Sequence, residues 1–111
     1  MNSIELEKAL LGCLITDSQY IDPVKQWITE EDFFYSSFNK KVWKAIDKLH
    51  SRGLDVDVNT VCEEVGNSKD GYHSMYEISG FLEKVTSPSK ANVYARKLHS
   101  YYLRRILDTQ M

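Results

Sequence analysis

The chain has 111 residues, of which 42% are hydrophobic and 27% are charged, and its formal net charge is −2. These values are typical of one soluble globular domain with a single core. No stretch approaches the roughly 18 consecutive apolar residues of a membrane span, so no membrane segment is predicted. The N-terminus lacks the basic and then apolar layout of a secretion signal, and we therefore expect a cytoplasmic protein.

The charge is distributed unevenly along the chain. From Lys90 onward, five basic residues accompany a single acidic residue, Asp108, so the preceding part of the chain is net acidic. An acidic body with a basic end indicates an interaction element. The basic residues of this end are Lys90, Arg96, Lys97, Arg104 and Arg105.

Apolar residues recur at three- and four-residue spacing along most of the chain, which predicts helices. The first helical stripe begins at Leu6, with Asn2 or Ser3 available as its N-cap. A short second helix is predicted after Asp17. Thr29 is predicted to cap the turn that follows, because its hydroxyl could accept a hydrogen bond from a nearby amide.

The central part of the chain predicts two more helices with clear boundaries. Ser36 or Ser37 begins the first of them, and Gly53 ends it where a left-handed backbone conformation is needed. Asp57 caps the second, which runs to Gly66. The apolar positions expected in the core are Leu10, Leu14, Phe33, Phe38, Val42, Trp43, Ile46, Leu49 and Val61.

A further helix is predicted from Met75 to Val85, followed by a break at residues 86–89 and a terminal helix from Ala91. Alternating strand patterns longer than three or four residues are absent from the sequence. We therefore predict an all-α protein, a compact bundle of about five to six helices.

One segment has the spacing of a phosphate-binding loop, from Gly66 to Gly71. Such a loop requires a lysine and then a serine or threonine after the second glycine, to reach phosphate oxygens and to bind Mg²⁺. Tyr72 and His73 stand there instead. We interpret the segment as a surface turn and expect no bound nucleotide.

No pattern of catalytic or metal-ligating residues is found. The three histidines, His50, His73 and His99, are too scattered to form a zinc site. Acidic pairs occur mainly at predicted helix starts, where the helix dipole favours them without any catalytic role. Cys13 and Cys62 lie at apolar helical positions, which predicts buried, reduced thiols. We expect no enzyme activity, metal or cofactor in this chain.

The terminal helix has an apolar arc that is too broad for packing against one body, which indicates burial on two sides. A nucleic-acid arm would cluster basic residues with exposed aromatic ones, and a membrane-surface helix would have one clean apolar face. A helix–helix interface fits better than either. The predicted interface residues are Tyr94, Leu98, Tyr101, Tyr102, Ile106 and Leu107, with Arg96, Lys97, Arg104 and Arg105 as candidate electrostatic contacts.

Several segments, in the same order along the chain, resemble the N-terminal domain of DnaB-type replicative DNA helicases. They include the opening Ile4-Glu5-Leu6-Glu7-Lys8-Ala9-Leu10-Leu11-Gly12-Cys13-Leu14-Ile15 and the pair Arg52-Gly53 followed by residues 56–65. The others are Glu31-Asp32-Phe33-Phe34, the helix of residues 42–49, Pro88-Ser89-Lys90-Ala91-Asn92-Val93, Tyr94-Ala95-Arg96 and Leu103-Arg104-Arg105-Ile106-Leu107.

The resemblance implies a globular helical head at residues 1–88, followed at 89–111 by the first helix of a dimerisation hairpin whose returning arm is absent. It implies a bacterial or phage hexamer built as a trimer of dimers, with primase docking through its C-terminal domain and a helicase loader as a further partner. ATP and Mg²⁺ would bind only in a separate ATPase domain. The fragment alone could be monomeric, with weak or no DNA binding.

Two alternatives remain open. The first is a stand-alone helicase-binding adaptor, such as the helicase-binding domain of a primase, which has a similar head and hairpin. The second is a small DNA-binding regulator that uses the basic terminal helix, which predicts DNA affinity that falls steeply with salt.

Overall fold

The computed structural model describes residues 2–66 and 71–110, with the side chains of residues 71–73 and 110 left out. This part of the chain is helical and contains no β-strand, which confirms the predicted all-α class. The α-helices are α1 (Ser3–Thr16), α2 (Ile21–Lys25), α3 (Ser37–Ser51), α4 (Val58–Val65), α5 (Gly71–Glu83) and α6 (Ala91–Gln110). Three 3₁₀ turns lie between α1 and α2, between α2 and α3 and between α5 and α6, at Ser18–Tyr20, Glu31–Phe33 and Pro88–Lys90.

The helix ends follow the local chemistry of the sequence. The side chains of Asn2 and Ser36 accept hydrogen bonds from amides three residues later, at 2.9 and 3.3 Å, and so cap α1 and α3. Asp57 caps α4 in the same way at 2.9 Å. Gly53 has a φ of 70°, the left-handed conformation in which a side chain would be strained. These predicted boundaries are confirmed.

The predicted cap at Thr29 is wrong. The residue at the N-cap of the 3₁₀ turn Glu31–Phe33 is Glu30, and no side chain makes a capping hydrogen bond there. A turn of three residues has few free amides to satisfy, and contacts from α6 hold it in place instead.

The core is built around α1, which packs against α3, α5 and α6. Gly12 lies where α1 meets the last turn of α5, and a Cβ there would be 2.8 Å from Cγ2 of Val85 and closer still to the Phe81 carbonyl oxygen. Of the nine predicted core residues, all are buried except Phe38, which is partly buried and packs edge-on to Phe81.

A buried carboxylate links α1 to the start of α3. Glu7 has no exposed surface, and its Oε2 accepts a hydrogen bond from the Tyr35 amide at 2.7 Å. Its Oε1 accepts from the Ser36 amide at 3.3 Å and from Asn39 Nδ2 at 2.9 Å. The carboxylate therefore lies at the N-terminus of α3, where the helix dipole and free amides stabilise a negative charge.

The described helices include none that is both long and apolar enough to cross a bilayer.

Candidate protein–protein interface

The first half of α6 is part of the core of the head. Ala91, Ala95 and Leu98 recur at helical spacing and are at most 1% exposed, against α1. Leu98, predicted as an interface residue, is therefore inaccessible to a partner, because it already fills the head. The predicted division after residue 88 stays a prediction, but these three residues share one core with the helices that precede it.

The second half of α6 is held to the head by an aromatic stack. The rings of Tyr102 and Phe33 lie 4.1 Å apart between centroids at an interplanar angle of 30°. His99 stacks on the same Phe33 ring at 5.5 Å and meets Trp27 edge-on at 5.7 Å. The stack fixes the direction in which the last turns of α6 leave the core.

Arg105 makes the most specific contact between α6 and the head. Its Nη2 donates hydrogen bonds of 3.1 Å to the carbonyl oxygens of Asp32 and Phe33, at the end of the 3₁₀ turn. The guanidinium carbon also lies 5.6 Å from the ring centroid of Tyr35 and 5.7 Å from that of Tyr102. Arg105 is thus engaged within the chain, although the sequence suggested an electrostatic contact with a partner.

The other three predicted cations differ in their surroundings. Arg96 lies over the ring of Trp27, 5.4 Å from its centroid, while its side chain remains exposed. Lys97 and Arg104 are exposed, and neither has an ion-pair partner among the residues that the structure describes. These two residues are therefore the cations of α6 that a partner could pair with.

The outward side of α6 carries large apolar side chains. Val93, Leu103 and Leu107 are 50%, 47% and 62% exposed. Leu103 was missing from the predicted interface, although its four-residue spacing from Leu107 is a signal that could have included it. We call the set Val93, Lys97, Leu103, Arg104 and Leu107 the outer face of α6.

The remaining predicted interface residues lie at the border between the core and the outer face. Tyr94, Tyr101 and Tyr102 are partly buried and pack against the core. Ile106 is also partly buried. The structure therefore brings the predicted residues onto one helix but leaves only Leu107 among them substantially exposed.

The described residues hold no group of three or more metal-ligating side chains. His50 is instead hydrogen-bonded to Asp22, at 2.8 Å, between α3 and α2. Of the glycine-flanked segment considered as a phosphate loop, Gly66 ends α4 and Gly71 begins α5, while residues 67–70 lie outside the described residues, as does the side chain of His73.

Both cysteines are free and buried, as predicted. Burial raises the pKa of the Cys13 thiol to about 11, and the nearby positive charge of Lys90 offsets part of that effect. Burial also raises the pKa of Cys62. Raised pKa values keep both groups as thiols at neutral pH, which is the opposite of what a nucleophilic cysteine requires.

The comparisons with known proteins agree with this architecture. Residues 1–100 match the family model described as the DnaB-like helicase N terminal domain. The chain belongs to this family. It is 33% identical over 114 residues to the replicative DNA helicase DnaB of Geobacillus stearothermophilus, an alignment that covers 96% of the chain and 24% of that protein.

The chain is also similar to a further DnaB protein in sequence and to a solved structure in fold. The replicative DNA helicase DnaB of Rhodothermus marinus is 28% identical over 109 residues, covering 96% of the chain and 11% of that protein. The crystal structure of the N-terminal domain of DnaB helicase from Mycobacterium tuberculosis superposes with a TM-score of 0.88 at 22% identity, covering 95% of the chain and 77% of that structure. The chain thus spans a quarter or less of the DnaB proteins of Geobacillus stearothermophilus and Rhodothermus marinus.

Proposed function

We propose that this DnaB-like domain is the non-catalytic assembly domain of a hexameric replicative DNA helicase. The observation that carries the proposal is the outer face of α6, where Leu103 and Leu107 are held out to solvent. The helix beneath them is fixed by Arg105 and by the stack of Tyr102 on Phe33, so the two leucines are presented in one orientation. Exposed apolar residues on a rigid helix are suited to association between protomers.

The rest of the proposal follows from the family. ATP and Mg²⁺ would bind in a separate ATPase domain of the parent helicase, which would work in the cytoplasm of a bacterial or phage-infected cell. Primase, through its C-terminal domain, and a helicase loader would dock on the assembled N-terminal domains.

Self-association can be tested by sedimentation of the chain and of its full-length parent. The double variant Leu103→Asp with Leu107→Asp places charges on the outer face and should shift both proteins toward the monomer. Tyr76→Asp is a matched control, because Tyr76 is 81% exposed and belongs to α5 rather than to the outer face of α6. An unchanged oligomeric state in the double variant, or equal loss in the control, would contradict the proposal.

Primase docking needs a separate experiment. The C-terminal domain of the cognate primase should retain the wild-type chain in a pull-down, and the complex should elute as a larger species in size-exclusion chromatography. If neither experiment detects binding to the chain or to the assembled parent, the docking part of the proposal is wrong, whatever the oligomeric state.

The small DNA-binding regulator is the weaker alternative. Arg105 is hydrogen-bonded within the head, which leaves Lys97 and Arg104 as the cations of α6 without a contact in the described part of the chain. Two free cations support only weak phosphate binding. A salt-dependent affinity for DNA, measured by fluorescence anisotropy at low ionic strength, would favour that alternative.

A further inference from the structure

The segment of residues 30–36, which we call the strap, lies between α2 and α3 in the chain and packs against α6. Two successive aromatic rings of the strap contact different helices. The Phe33 ring stacks on Tyr102 of α6, whereas the Phe34 ring lies 5.6 Å from that of Trp43 on α3. Because Phe34 has no exposed surface, it anchors the strap in the core while Phe33 stays against α6.

The backbone on the two sides of the Phe34 Cα atom is bound by side chains from different helices. The carbonyl oxygen of Phe33, in the preceding peptide group, accepts a hydrogen bond of 3.1 Å from Arg105 Nη2. The amide of Tyr35, in the following peptide group, donates a hydrogen bond of 2.7 Å to Glu7 Oε2. Each peptide group is planar, so only the φ and ψ angles of Phe34, −92° and 136°, separate the two contacts.

Neighbouring contacts extend this arrangement in both directions along the strap. Towards its start, the carbonyl oxygen of Asp32 accepts a second hydrogen bond of 3.1 Å from Arg105. Towards its end, the amide of Ser36 donates a hydrogen bond of 3.3 Å to Oε1 of Glu7. Arg105 on α6 therefore holds the first half of the strap, and Glu7 on α1 holds the last part.

We propose that the strap couples the docking of the second half of α6 to the buried carboxylate of Glu7. The second half of α6, from His99 onward, exchanges between a docked state, with Arg105 bound to the strap carbonyls, and a state released from them. Glu7 holds the strap where Nη2 of Arg105 reaches both carbonyl oxygens, and it thereby stabilises the docked state. Release of Arg105 in turn loosens the amides that bind Glu7.

This coupling makes the second half of α6 follow the head instead of opening by itself. Ala91, Ala95 and Leu98 fix the first half of the helix in the core. If the strap transmitted nothing, the last turns could leave the head without any effect on the contacts of α1. All of these contacts lie within one copy of the chain, so the inference goes beyond the proposed self-association and does not depend on it.

Hydrogen exchange followed by NMR, at a low protein concentration, tests the coupling in both directions. Glu7→Gln should speed the exchange of the amides of residues 102–106 by about fivefold or more, although the substitution lies on α1. Arg105→Ala should speed the exchange of the Tyr35 and Ser36 amides by about the same factor, because coupling between two sites is reciprocal.

Two control variants separate the coupling from general destabilisation. Val61→Ala creates a cavity at a fully buried position on α4, a helix that packs against α3 and α5. It should leave exchange in both regions within about twofold of the wild type. Arg104→Ala, at the exposed position beside Arg105, should likewise leave the Tyr35 and Ser36 amides unchanged. Circular dichroism establishes that each variant is folded.

A double variant tests whether the two contacts act as one unit. When Glu7→Gln is combined with Arg105→Ala, residues 102–106 should exchange at most about twofold faster than in Arg105→Ala alone, because the released helix no longer depends on the strap. Acceleration factors that multiply in the double variant would overturn the inference, since they would show two independent contacts.

The single variants can also overturn the inference. Wild-type exchange of residues 102–106 in Glu7→Gln would do so, and so would equal acceleration by Val61→Ala, because both regions would then open only with the whole chain. If Glu7→Gln does not fold, Arg105→Ala decides by itself: unchanged exchange of the Tyr35 and Ser36 amides would show that the strap transmits nothing. None of these results alters the test of self-association, which sedimentation decides separately.

Discussion

The Oε1 atom of Glu7 accepts a hydrogen bond of 2.9 Å from Nδ2 of Asn39, and both side chains are fully buried. Because the same carboxylate also receives the amides of Tyr35 and Ser36, every donor around it requires an acceptor. Glu7→Gln replaces one oxygen by a donor, so we expect the free energy of unfolding to fall by about 1–3 kcal/mol.

Urea-induced unfolding followed by circular dichroism measures this loss. Glu5→Gln is the matched control, because Glu5 is exposed in the first turn of the same helix and should change stability by no more than about 0.5 kcal/mol. Equal unfolding midpoints for Glu7→Gln and the control would show that the buried network contributes nothing specific.

Two glycines should respond in opposite directions to alanine. Gly12→Ala places a methyl group against the Phe81 carbonyl oxygen and Val85, and separating α1 from α5 should cost about 1–3 kcal/mol. Gly80→Ala on α5 meets no atom within 4 Å and should stabilise the helix by about 0.5–1 kcal/mol. Thermal unfolding of the two variants gives the comparison. A Gly12→Ala variant as stable as the wild type would contradict the close approach at Gly12, and destabilisation by Gly80→Ala would contradict the open space at Gly80.

Arg105 is predicted to fix the last turns of α6. Arg105→Ala removes hydrogen bonds to two backbone carbonyls and should lower stability by about 1–2 kcal/mol, with faster amide exchange in α6 beyond Leu98. Arg105→Lys keeps the charge but loses the planar fork, and it should recover only part of the loss. Arg104→Ala, at the exposed neighbouring position, provides the control. If Arg104→Ala speeds amide exchange in α6 as much as Arg105→Ala does, the hydrogen bonds of Arg105 to the two carbonyls are not what slows the exchange.

The raised pKa of the Cys13 thiol predicts that the folded chain loses stability at alkaline pH. Its pKa is about 11 in the folded chain and 9.0 ordinarily, so the unfolded state loses its proton first as the pH rises. The stabilisation that the raised pKa of Cys13 gives the folded chain is fully present below pH 9.0 and is lost between pH 9.0 and about 11. This loss lowers the free energy of unfolding by an amount on the order of 2 kcal/mol.

The difference between the wild type and Cys13→Ala isolates this effect. The stability of the wild type should decline more steeply than that of Cys13→Ala from pH 9 to 11, as measured by denaturant unfolding at each pH. Stabilities of the two proteins that decline in parallel from pH 9 to 11 would contradict the prediction that the Cys13 thiol causes the loss. At pH 8 we also expect slow alkylation of Cys13 by iodoacetamide in the folded chain compared with the unfolded chain.

Local sequence determined most of the secondary structure. The caps at Asn2, Ser36 and Asp57 and the left-handed Gly53 act on amides and carbonyls within a few residues, so they can be predicted without tertiary contacts. The apolar spacing likewise predicted the helices and nearly all of the core, because a helix of fixed period must bury its apolar side.

Tertiary structure decided how the two sides of α6 are used. The breadth of its apolar arc predicted two contacts, but the spacing could not show that Leu98 would fill the head while Leu103 and Leu107 would face solvent. Arg105 and Phe33 are 72 residues apart in sequence, and Glu7 and Asn39 are 32 apart. Pairs at such separations meet only when the chain has folded, because the position of one helix relative to another depends on packing that no local pattern contains.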